Sequence, residues 1–365
     1  SWLLGISQIS EQAMPPSADT LEPAATSLVV NNNETSISAP DTSTAFGQGS
    51  LADTSLIFAQ GHLEHIMQVG LSEHWLIQNH LLAPNFEVVL GEGGQSIVYA
   101  GTYCGGDVAL KQTKHTRKNR QLGQINLDVA RELRTLRRLR HPNIVLLHGA
   151  YVTEDGLALV VERVKGQSLM AFASHRQLSL TFQSRLMLDI CSALWYLSVQ
   201  EPYPVLHGDV KPENIMVEVR VPGVGATYEP HAKLIDFGLS RVLSPGAKRL
   251  GGTTNWKAPE TLAKKAPSVG ADIFSFGCII FFVMIGKVPY KMKDEDMLHY
   301  IEAHASLPAL PWPASSQREY EKALIPLCSA CTSLEVTARP TWPDIALQLE
   351  LSRPAMALHK MKVSI

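Results

Sequence analysis

The chain has 365 residues, of which 45% are hydrophobic and 18% are charged, and its formal net charge is −2. This balance predicts a globular protein with a large core, and the length allows one large domain with appendages. The most apolar run, residues 278–285, has about half the length of a transmembrane helix, so we expect no membrane partner.

The five cysteines are irregularly spaced, which favours a reducing compartment and a cytoplasmic location over a disulfide framework. Cys328 and Cys331 form a CxxC pair with no second pair and no histidine close by. We interpret them as small core residues of a helix, with a metal or redox site as the alternative.

Acidic and basic residues are segregated along the chain. Residues 1–110 contain eleven acidic residues and neither Lys nor Arg, so that all 32 Lys and Arg side chains lie from Lys111 onwards. Such asymmetry predicts an electrostatic relationship between the N-terminal part and the rest of the chain, or with a partner.

The N-terminal part divides in two. Residues 1–52 are rich in Ser, Thr, Ala, Pro and Asn and have no sustained hydrophobic period, which predicts a disordered region. Residues 53–84 place apolar side chains at helical spacing, which predicts a helical extension. These side chains are Leu56, Ile57, Leu63, Ile66, Met67, Leu71, Leu76, Ile77 and Leu81.

From residue 85 the pattern changes to short strands. Residues 86–90, 97–103 and 108–112 look like three short strands, with glycine-rich turns between them. A helical period follows at 125–140, then strands near 146–152 and 157–164, and helices dominate from 168 to 350. Five strands and one helix before a mainly helical region predict an α+β fold with two lobes.

Two segments of the strand region carry candidate chemistry. The turn in LGEGGQSIVYAG, residues 90–101, contains Gly91 and Gly93, and a hairpin without side chains lets backbone N–H groups approach phosphate oxygens. VALK at 108–111 ends in Lys111. Glu132 shares a helix face with Leu136 and Leu139, so its carboxylate would be desolvated unless a cation such as Lys111 pairs with it.

Together with HGDVKPEN at 207–214, DFG at 236–238 and APE at 258–260, these motifs resemble the eukaryotic protein kinases. The resemblance covers roughly residues 86–350, and GTTNWKAPE at 252–260 is most similar to the tyrosine-kinase-like group of serine/threonine kinases. It implies a kinase domain over 85–352, with an N-lobe at 85–165, a C-lobe at 166–352 and a tail at 353–365.

The resemblance also implies a role for each motif residue. Lys111 would reach the ATP phosphates and be held by Glu132, Asp209 would accept the proton of the attacking hydroxyl, and Lys211 would lie near the transferred group. Asn214 and Asp236 would hold Mg²⁺, which prefers hard oxygen ligands. The ATP site would be formed by Leu90, Gly91, Gly93, Val98, Ala109, Lys111 and Met216. Adenine would lie between Val98, Ala109 and Met216 and form backbone bonds with the segment from Glu162 to Val164.

Further residues would have structural roles in such a domain. Thr253 would contact the catalytic loop, Asp272 would brace its backbone, and Glu260 would pair with Arg339. Two positions depart from the family pattern: Ser96 replaces the third glycine of the loop, and Gly208 replaces the arginine of HRD. Because that arginine normally binds an activation-loop phosphate, we expect control by such phosphorylation to be weak or absent.

Basic residues cluster around the third strand and the following helix. They are Lys114, Arg117, Lys118, Arg120, Arg131, Arg134, Arg137, Arg138 and Arg140. One interpretation is a solvated helix face; the other is a docking surface for the acidic N-terminal segment or an acidic partner. Aromatic platforms are not interleaved with the cluster, so we expect no nucleic-acid binding.

Three functions remain open at this point. The first is an active serine/threonine kinase that uses ATP and Mg²⁺ on a protein substrate, and the second is a nucleotide-binding pseudokinase scaffold. The presence of Lys111, Glu132, Asp209, Asn214 and Asp236 favours the first. A small-molecule kinase is the third, and GTTNWKAPE disfavours it because that segment builds a peptide-binding surface.

Overall fold

The computed structural model describes residues 63–94, 96–114, 127–154, 156–174, 178–220, 229–244, 251–313 and 319–353. The disorder predicted for 1–52, the first part of the helical extension and the tail from residue 354 lie outside these residues. So do Arg117, Lys118 and Arg120 of the basic cluster.

The strands in the described residues are β1 (Leu82–Glu92), β2 (Ser96–Tyr103), β3 (Gly106–Thr113), β4 (Leu147–Thr153), β5 (Gly156–Glu162), β6 (Gln167–Ser168), β7 (Val205–Leu206), β8 (Ile215–Arg220), β9 (Glu229–Leu234) and β10 (Arg241–Val242). The helices are α1 (Leu63–Ser72), α2 (Leu127–Leu136), α3 (Leu169–Ser174), α4 (Leu180–Ser198), α5 (Pro259–Leu262), α6 (Gly270–Ile285), α7 (Asp294–His304), α8 (Glu319–Cys331) and α9 (Trp342–Leu351).

The first lobe is an antiparallel sheet with the order β1-β2-β3-β5-β4, against which α2 packs at β4 and β5. Helix α2 buries one apolar stripe, formed by Val129, Ala130, Leu133 and Leu136, as its 3.6-residue period requires. The predicted five strands and one helix are therefore confirmed, although the helix ends at Leu136 and not near residue 140.

The second lobe is mainly helical, with α6 at its centre. Gly270 to Val283 of α6 are all buried, and a helix that is apolar on every side needs neighbours all round. It packs against α4 and α8. The α+β, two-lobed fold class is confirmed.

The cysteines of this lobe are core residues. Cys191, Cys278, Cys328 and Cys331 are buried and unpaired, and burial raises the pKa of both Cys191 and Cys328 to about 12. No cluster of three or more His, Cys, Asp or Glu suited to a metal occurs among the described residues. These facts favour the core interpretation of the CxxC pair.

The long stretch between Asn214 and Asp236 contains a hairpin. Strands β8 and β9 are antiparallel, and their last pair is Arg220 with Glu229, while residues 221–228 between them lie outside the described residues. Within the described part of the chain, no helix combines the length and apolarity that crossing a bilayer requires.

The helical extension is shorter than the sequence predicts. Helix α1 ends at Ser72, and His74 then takes a left-handed backbone conformation with φ 57°. Leu76 forms a parallel bridge with Ala150 of β4, so the segment runs along the sheet edge instead of continuing the helix. The helical prediction for 73–84 is wrong because backbone pairing at this edge outweighs the local period.

Candidate active site

The glycine-rich hairpin lies over Lys111. In the sheet, Gly91 of β1 pairs with Val98 of β2, and Val98 pairs with Lys111 of β3. The Gly93 N–H closes the turn on the Ser96 carbonyl at 2.8 Å. A Cβ at Gly91 would meet no described atom within 4 Å, so packing within the described protein does not require glycine there. A ligand that approaches the backbone would require it.

Lys111 binds two carboxylates from different parts of the chain. Its Nζ lies 2.6 Å from Glu132 Oε2 and 2.7 Å from Asp236 Oδ1. Burial opposes the charge on Lys111, but the two carboxylates outweigh it and raise the pKa of the ammonium above its usual value. The lysine therefore remains a cation in the site.

The backbone around Asp236 is held in an unusual conformation. Asp236 has φ 63°, in the left-handed region that costs an L-residue about 1–2 kcal/mol. The Phe237 N–H donates to Glu132 Oε1 at 3.1 Å, and the Phe237 side chain is fully buried. Burial would raise the pKa of Asp236, but Lys111 lowers it below the usual range, so the carboxylate is ionised.

Asp209, Lys211 and Thr253 form a closed hydrogen-bond triangle. The Lys211 ammonium donates to Asp209 Oδ2 and to the Thr253 hydroxyl, each at 2.7 Å, and the Thr253 hydroxyl donates to Asp209 Oδ1 at 2.8 Å. Thr253 lies 42 residues after Lys211, so this contact joins the loop that carries Asp209 to the segment before α5.

Asn214 connects this triangle to Asp236. Its side-chain amide donates to the Asp209 carbonyl at 2.9 Å and to Asp209 Oδ2 at 3.0 Å. Its own backbone carbonyl accepts from the Ile235 N–H at 2.9 Å. The amide oxygen of Asn214 and the carboxylate of Asp236 are hard oxygen donors, so the residues at these two positions suit Mg²⁺.

Asp272 binds the backbone of the loop that carries Asp209. Its carboxylate accepts from the His207 N–H at 2.7 Å and from the Gly208 N–H at 3.0 Å. The Nδ1 atom of His207 accepts from the Asp209 N–H at 3.3 Å, and its Nε2 atom lies 3.1 Å from the Ile235 carbonyl oxygen. Gly208 has φ 76°, a conformation in which glycine is unstrained.

Val98 and Ala109, which are predicted to contact adenine, share one face of the sheet. Val98 pairs with Lys111, and Ala109, two positions earlier on β3, pairs with Val161 of β5. Ala109 is buried, Val98 is half-buried and Leu90 on β1 is 38% exposed. On the other lobe, half-buried Met216 is the second residue of β8 and pairs with Ser168, and Glu162 and Val164 lie between the lobes.

A contact that the sequence did not reveal lies beside this face. Lys233 of β9 is buried, and its Nζ lies 2.7 Å from Glu162 Oε1 and 2.8 Å from Oε2. The Leu146 N–H also donates to Glu162 Oε2, at 3.3 Å. A lysine between apolar residues in AKLIDFG was the available signal, but its partner lies 71 residues away.

The predicted pair of Glu260 and Arg339 is formed deep in the second lobe. The guanidinium makes two bonds to the carboxylate, at 2.6 and 2.8 Å, and also donates to the carbonyls of Gly270 and Ser333. Every one of these contacts is charge-assisted, and the pair fixes α5 against α6.

Comparison with known proteins agrees with this geometry. Residues 85–349 match the family model described as "Protein kinase domain". The chain is 29% identical over 70% of its length to the probable serine/threonine-protein kinase drkD of Dictyostelium discoideum, of which the match covers 19%. It is 29% identical over 75% of its length to mitogen-activated protein kinase kinase kinase 11 of Homo sapiens, of which the match covers 32%. The matched region is thus less than a third of either relative.

Proposed function

The chain belongs to the protein kinase family, and from this premise we propose that it is an active serine/threonine kinase, which transfers the γ-phosphate of ATP to protein hydroxyls. One observation carries the proposal: Lys111, Glu132 and Asp236 are in contact on one side of the site, and Asp209, Lys211 and Asn214 are in contact on the other. A scaffold that only binds nucleotide would not need the contacts among Asp209, Lys211 and Asn214.

The residues divide the work of phosphoryl transfer. Lys111 supplies a fixed positive charge for phosphate oxygens, and Glu132 keeps it in place. Asp209 is positioned to accept the proton of the attacking hydroxyl, while Lys211 offers a second cation near the transferred group. Bound Mg²⁺ would neutralise phosphate charge, and Asn214 and Asp236 would hold it.

Preference for Ser and Thr hydroxyls rests on the triangle of Asp209, Lys211 and Thr253. Lys211 and Thr253 occupy the positions that the resemblance associates with serine/threonine kinases, and they contact each other at 2.7 Å. The name of the relative in Dictyostelium discoideum, a probable serine/threonine-protein kinase, points the same way. A protein substrate with Ser or Thr follows from this proposal.

The test is incubation of the full chain with Mg·ATP, beside Lys111→Met and Asp209→Asn. Matched controls are Lys287→Met and Asp107→Asn, since both residues are exposed and outside the site. We expect phosphate incorporation in the wild type and the controls, its loss in both site variants, and phosphoserine or phosphothreonine in the product. Wild-type ATP binding without transfer would instead support the pseudokinase scaffold.

We also propose that phosphorylation between DFG and APE does not control activity. Gly208 supplies no guanidinium for a phosphate, and Ser240, one candidate for modification, is buried with its hydroxyl donating to the His207 carbonyl. Ser244 and Thr254 remain candidates by position. Phosphatase treatment should leave the activity of the purified chain unchanged.

A loss of activity after phosphatase treatment would contradict this proposal. The phosphate would then need another basic site, and the cavity of about 210 Å³ between α2 and β10 is a candidate close to the segment after DFG. Its lining includes Arg131, Arg134, Arg138 and Arg241. Charge reversal at Arg138, the exposed member, would test whether the cavity is responsible.

Finally, we propose that the acidic N-terminal segment, or an acidic partner, docks on the basic region around α2 and biases the pair of Lys111 and Glu132. Mutual repulsion among Arg131, Arg134, Arg137 and Arg138 favours an anionic neighbour; burial and these like charges lower the pKa of Arg134. Deletion of residues 1–60 should change activity, and the change should weaken at high salt. If the full chain and the deletion variant have identical activity at both low and high salt, docking is rejected.

A further inference from the structure

The segment Glu73–Ile77, which follows α1, binds the free edge of the first-lobe sheet. Strand β4 is the last strand in the order β1-β2-β3-β5-β4. The Ile77 N–H donates to the Ala150 carbonyl, and the Ala150 N–H donates to the Trp75 carbonyl, both at 2.8 Å. The segment therefore pairs with an edge that would otherwise expose unpaired backbone groups. We call it the edge segment.

Two glycines let the edge segment approach closely from both sides. A Cβ at Gly149 of β4 would lie 2.4 Å from the Trp75 carbonyl oxygen, and a Cβ at Gly70 of α1 would lie 2.9 Å from the Trp75 ring. Both contacts are too short for any side chain. The edge segment is thus enclosed between α1 and β4, in contact with both.

Trp75 links the edge segment to the core beneath α2. Its side chain is only 6% exposed and belongs to the same apolar cluster as Val129, Ala130 and Leu133 of α2. Its indole N–H donates to Glu73 Oε2 at 2.9 Å. Trp75 also lines, together with Arg137 and Arg138 just beyond α2, the cavity at the C-terminal end of this helix.

Glu73 links the edge segment to the end of α2. The same Oε2 that accepts from Trp75 forms an ion pair with Arg137 Nη1, one residue beyond the helix. Arg137, Arg138, Arg140 and His148 line an open cavity of about 360 Å³ around this carboxylate. Glu73 therefore places a negative charge where several positive charges meet, and it holds the C-terminal end of α2.

We propose that Trp75 and Glu73 are positioning residues for phosphoryl transfer. Together they fix α2 so that Glu132 reaches both the Lys111 ammonium and the Phe237 N–H, at 2.6 and 3.1 Å. Neither residue touches these groups, so the effect passes through the helix. The consequence for catalysis rests on the proposed function, whereas the consequence for the helix does not.

The first experiment compares Trp75→Ala, Trp75→Phe and the control Trp195→Ala in the full chain. Trp195 is 37% exposed on α4, on the other lobe. Amide hydrogen exchange in residues 129–136 should accelerate on the order of tenfold in Trp75→Ala, with a similar rise in KM for ATP. Trp75→Phe should restore most of both, and Trp195→Ala should change neither.

The second experiment uses the ion pair. Glu73→Arg and Arg137→Glu should each raise KM for ATP, and the double charge reversal should recover part of the loss, because opposite charges again face each other. The matched control is the exposed pair of Glu350 and Arg353, whose reversal should have no effect. If Trp75→Ala fails to fold, this pair and Trp75→Phe carry the test.

Different results separate the two proposals. In a Lys111→Met background, Trp75→Ala should still accelerate exchange in α2. It should not reduce nucleotide affinity further, because the helix acts on the phosphates through the Lys111 ammonium, which this background lacks. If the wild-type chain transfers no phosphate but Trp75→Ala still accelerates exchange in α2, the kinase proposal is rejected and the effect of Trp75 on the helix stands. Unchanged exchange in α2 of a folded Trp75→Ala, or no recovery in the double reversal, would overturn the positioning role.

Discussion

Lys233 of strand β9 donates to the side chain of Glu162 at the end of β5, with Nζ 2.7 Å from Oε1. Glu162 begins the segment predicted to bind adenine through its backbone. Lys233 lies three residues before Asp236, on the strand that leads to the DFG turn. The ion pair therefore connects the segment proposed to bind adenine with the strand that leads to Asp236, a proposed metal ligand, and both side chains are partly or wholly buried.

This connection predicts a specific loss in Lys233→Met. The Glu162 carboxylate would lose its charged partner and keep the bond from Leu146, so the adenine segment should be held less firmly. Because Glu162 is 29% exposed, we expect a loss of about 1 kcal/mol, or roughly fivefold, in ATP affinity. Titration with a fluorescent nucleotide measures it; Lys233→Arg should retain affinity, and equal affinity in Lys233→Met would contradict the role.

The ion pair of Glu260 and Arg339 predicts a loss of stability. Both side chains are at least nine-tenths buried, at 8% and 1% exposure, so removal of one charge leaves the other without compensation. Glu260→Gln should reduce the free energy of unfolding by roughly 3 kcal/mol and Tm by on the order of 10 °C. Glu350→Gln, which breaks an exposed pair with Arg353, should change Tm little.

Because Gly208 has a left-handed backbone conformation, we expect alanine at this position to destabilise the fold more than asparagine does. At φ 76° an alanine would cost about 1 kcal/mol, and asparagine, which tolerates this region better, should cost less. Gly106→Ala is the control, since that glycine does not have a left-handed φ and a Cβ there would meet only ordinary contacts. Urea unfolding midpoints of the three variants measure the loss of stability. Equal losses in Gly208→Ala and Gly106→Ala would show that the left-handed conformation at position 208 imposes no such cost.

The sequence predicted the motif residues better than the contacts that support them. Periodicity alone placed Glu132 on the inward face of a helix and made Lys111 its partner, because both signals are local and the charges are rare in apolar surroundings. Asp272, 65 residues from His207, was expected only through the family resemblance.

The contacts of Lys233 and Trp75 could not be predicted, for a physical reason. Each depends on an approach between distant segments that only the folded sheet defines, and in the case of Trp75 on glycines at 70 and 149. The same tertiary pairing turned residues 73–77 away from the predicted helix. Local period predicts most elements, but it does not show where pairing with a sheet edge will override it.

The pair of Lys111 and Asp236 predicts how stability depends on pH. Burial opposes both charges, yet each partner stabilises the other, so the pKa of Lys111 is raised above 10.5 and that of Asp236 is lowered below 3.8. For Asp236, the stabilisation is complete above the unfolded pKa and is lost as the pH falls through the folded value. For Lys111, it is complete below the unfolded pKa and is lost as the pH rises through the folded value.

The difference in unfolding free energy between the wild type and Asp236→Asn, measured without nucleotide, should therefore be constant from about pH 5 to pH 9. It should shrink as the pH falls below about 4, where the wild-type carboxylate begins to take up a proton. Urea unfolding at a series of pH values measures this difference, and Asp107→Asn, a change at an exposed pair with Lys165, is the control. A difference that shrinks already between pH 7 and pH 5 would mean that the pKa of Asp236 is raised, and that Lys111 does not hold the carboxylate in its charged form.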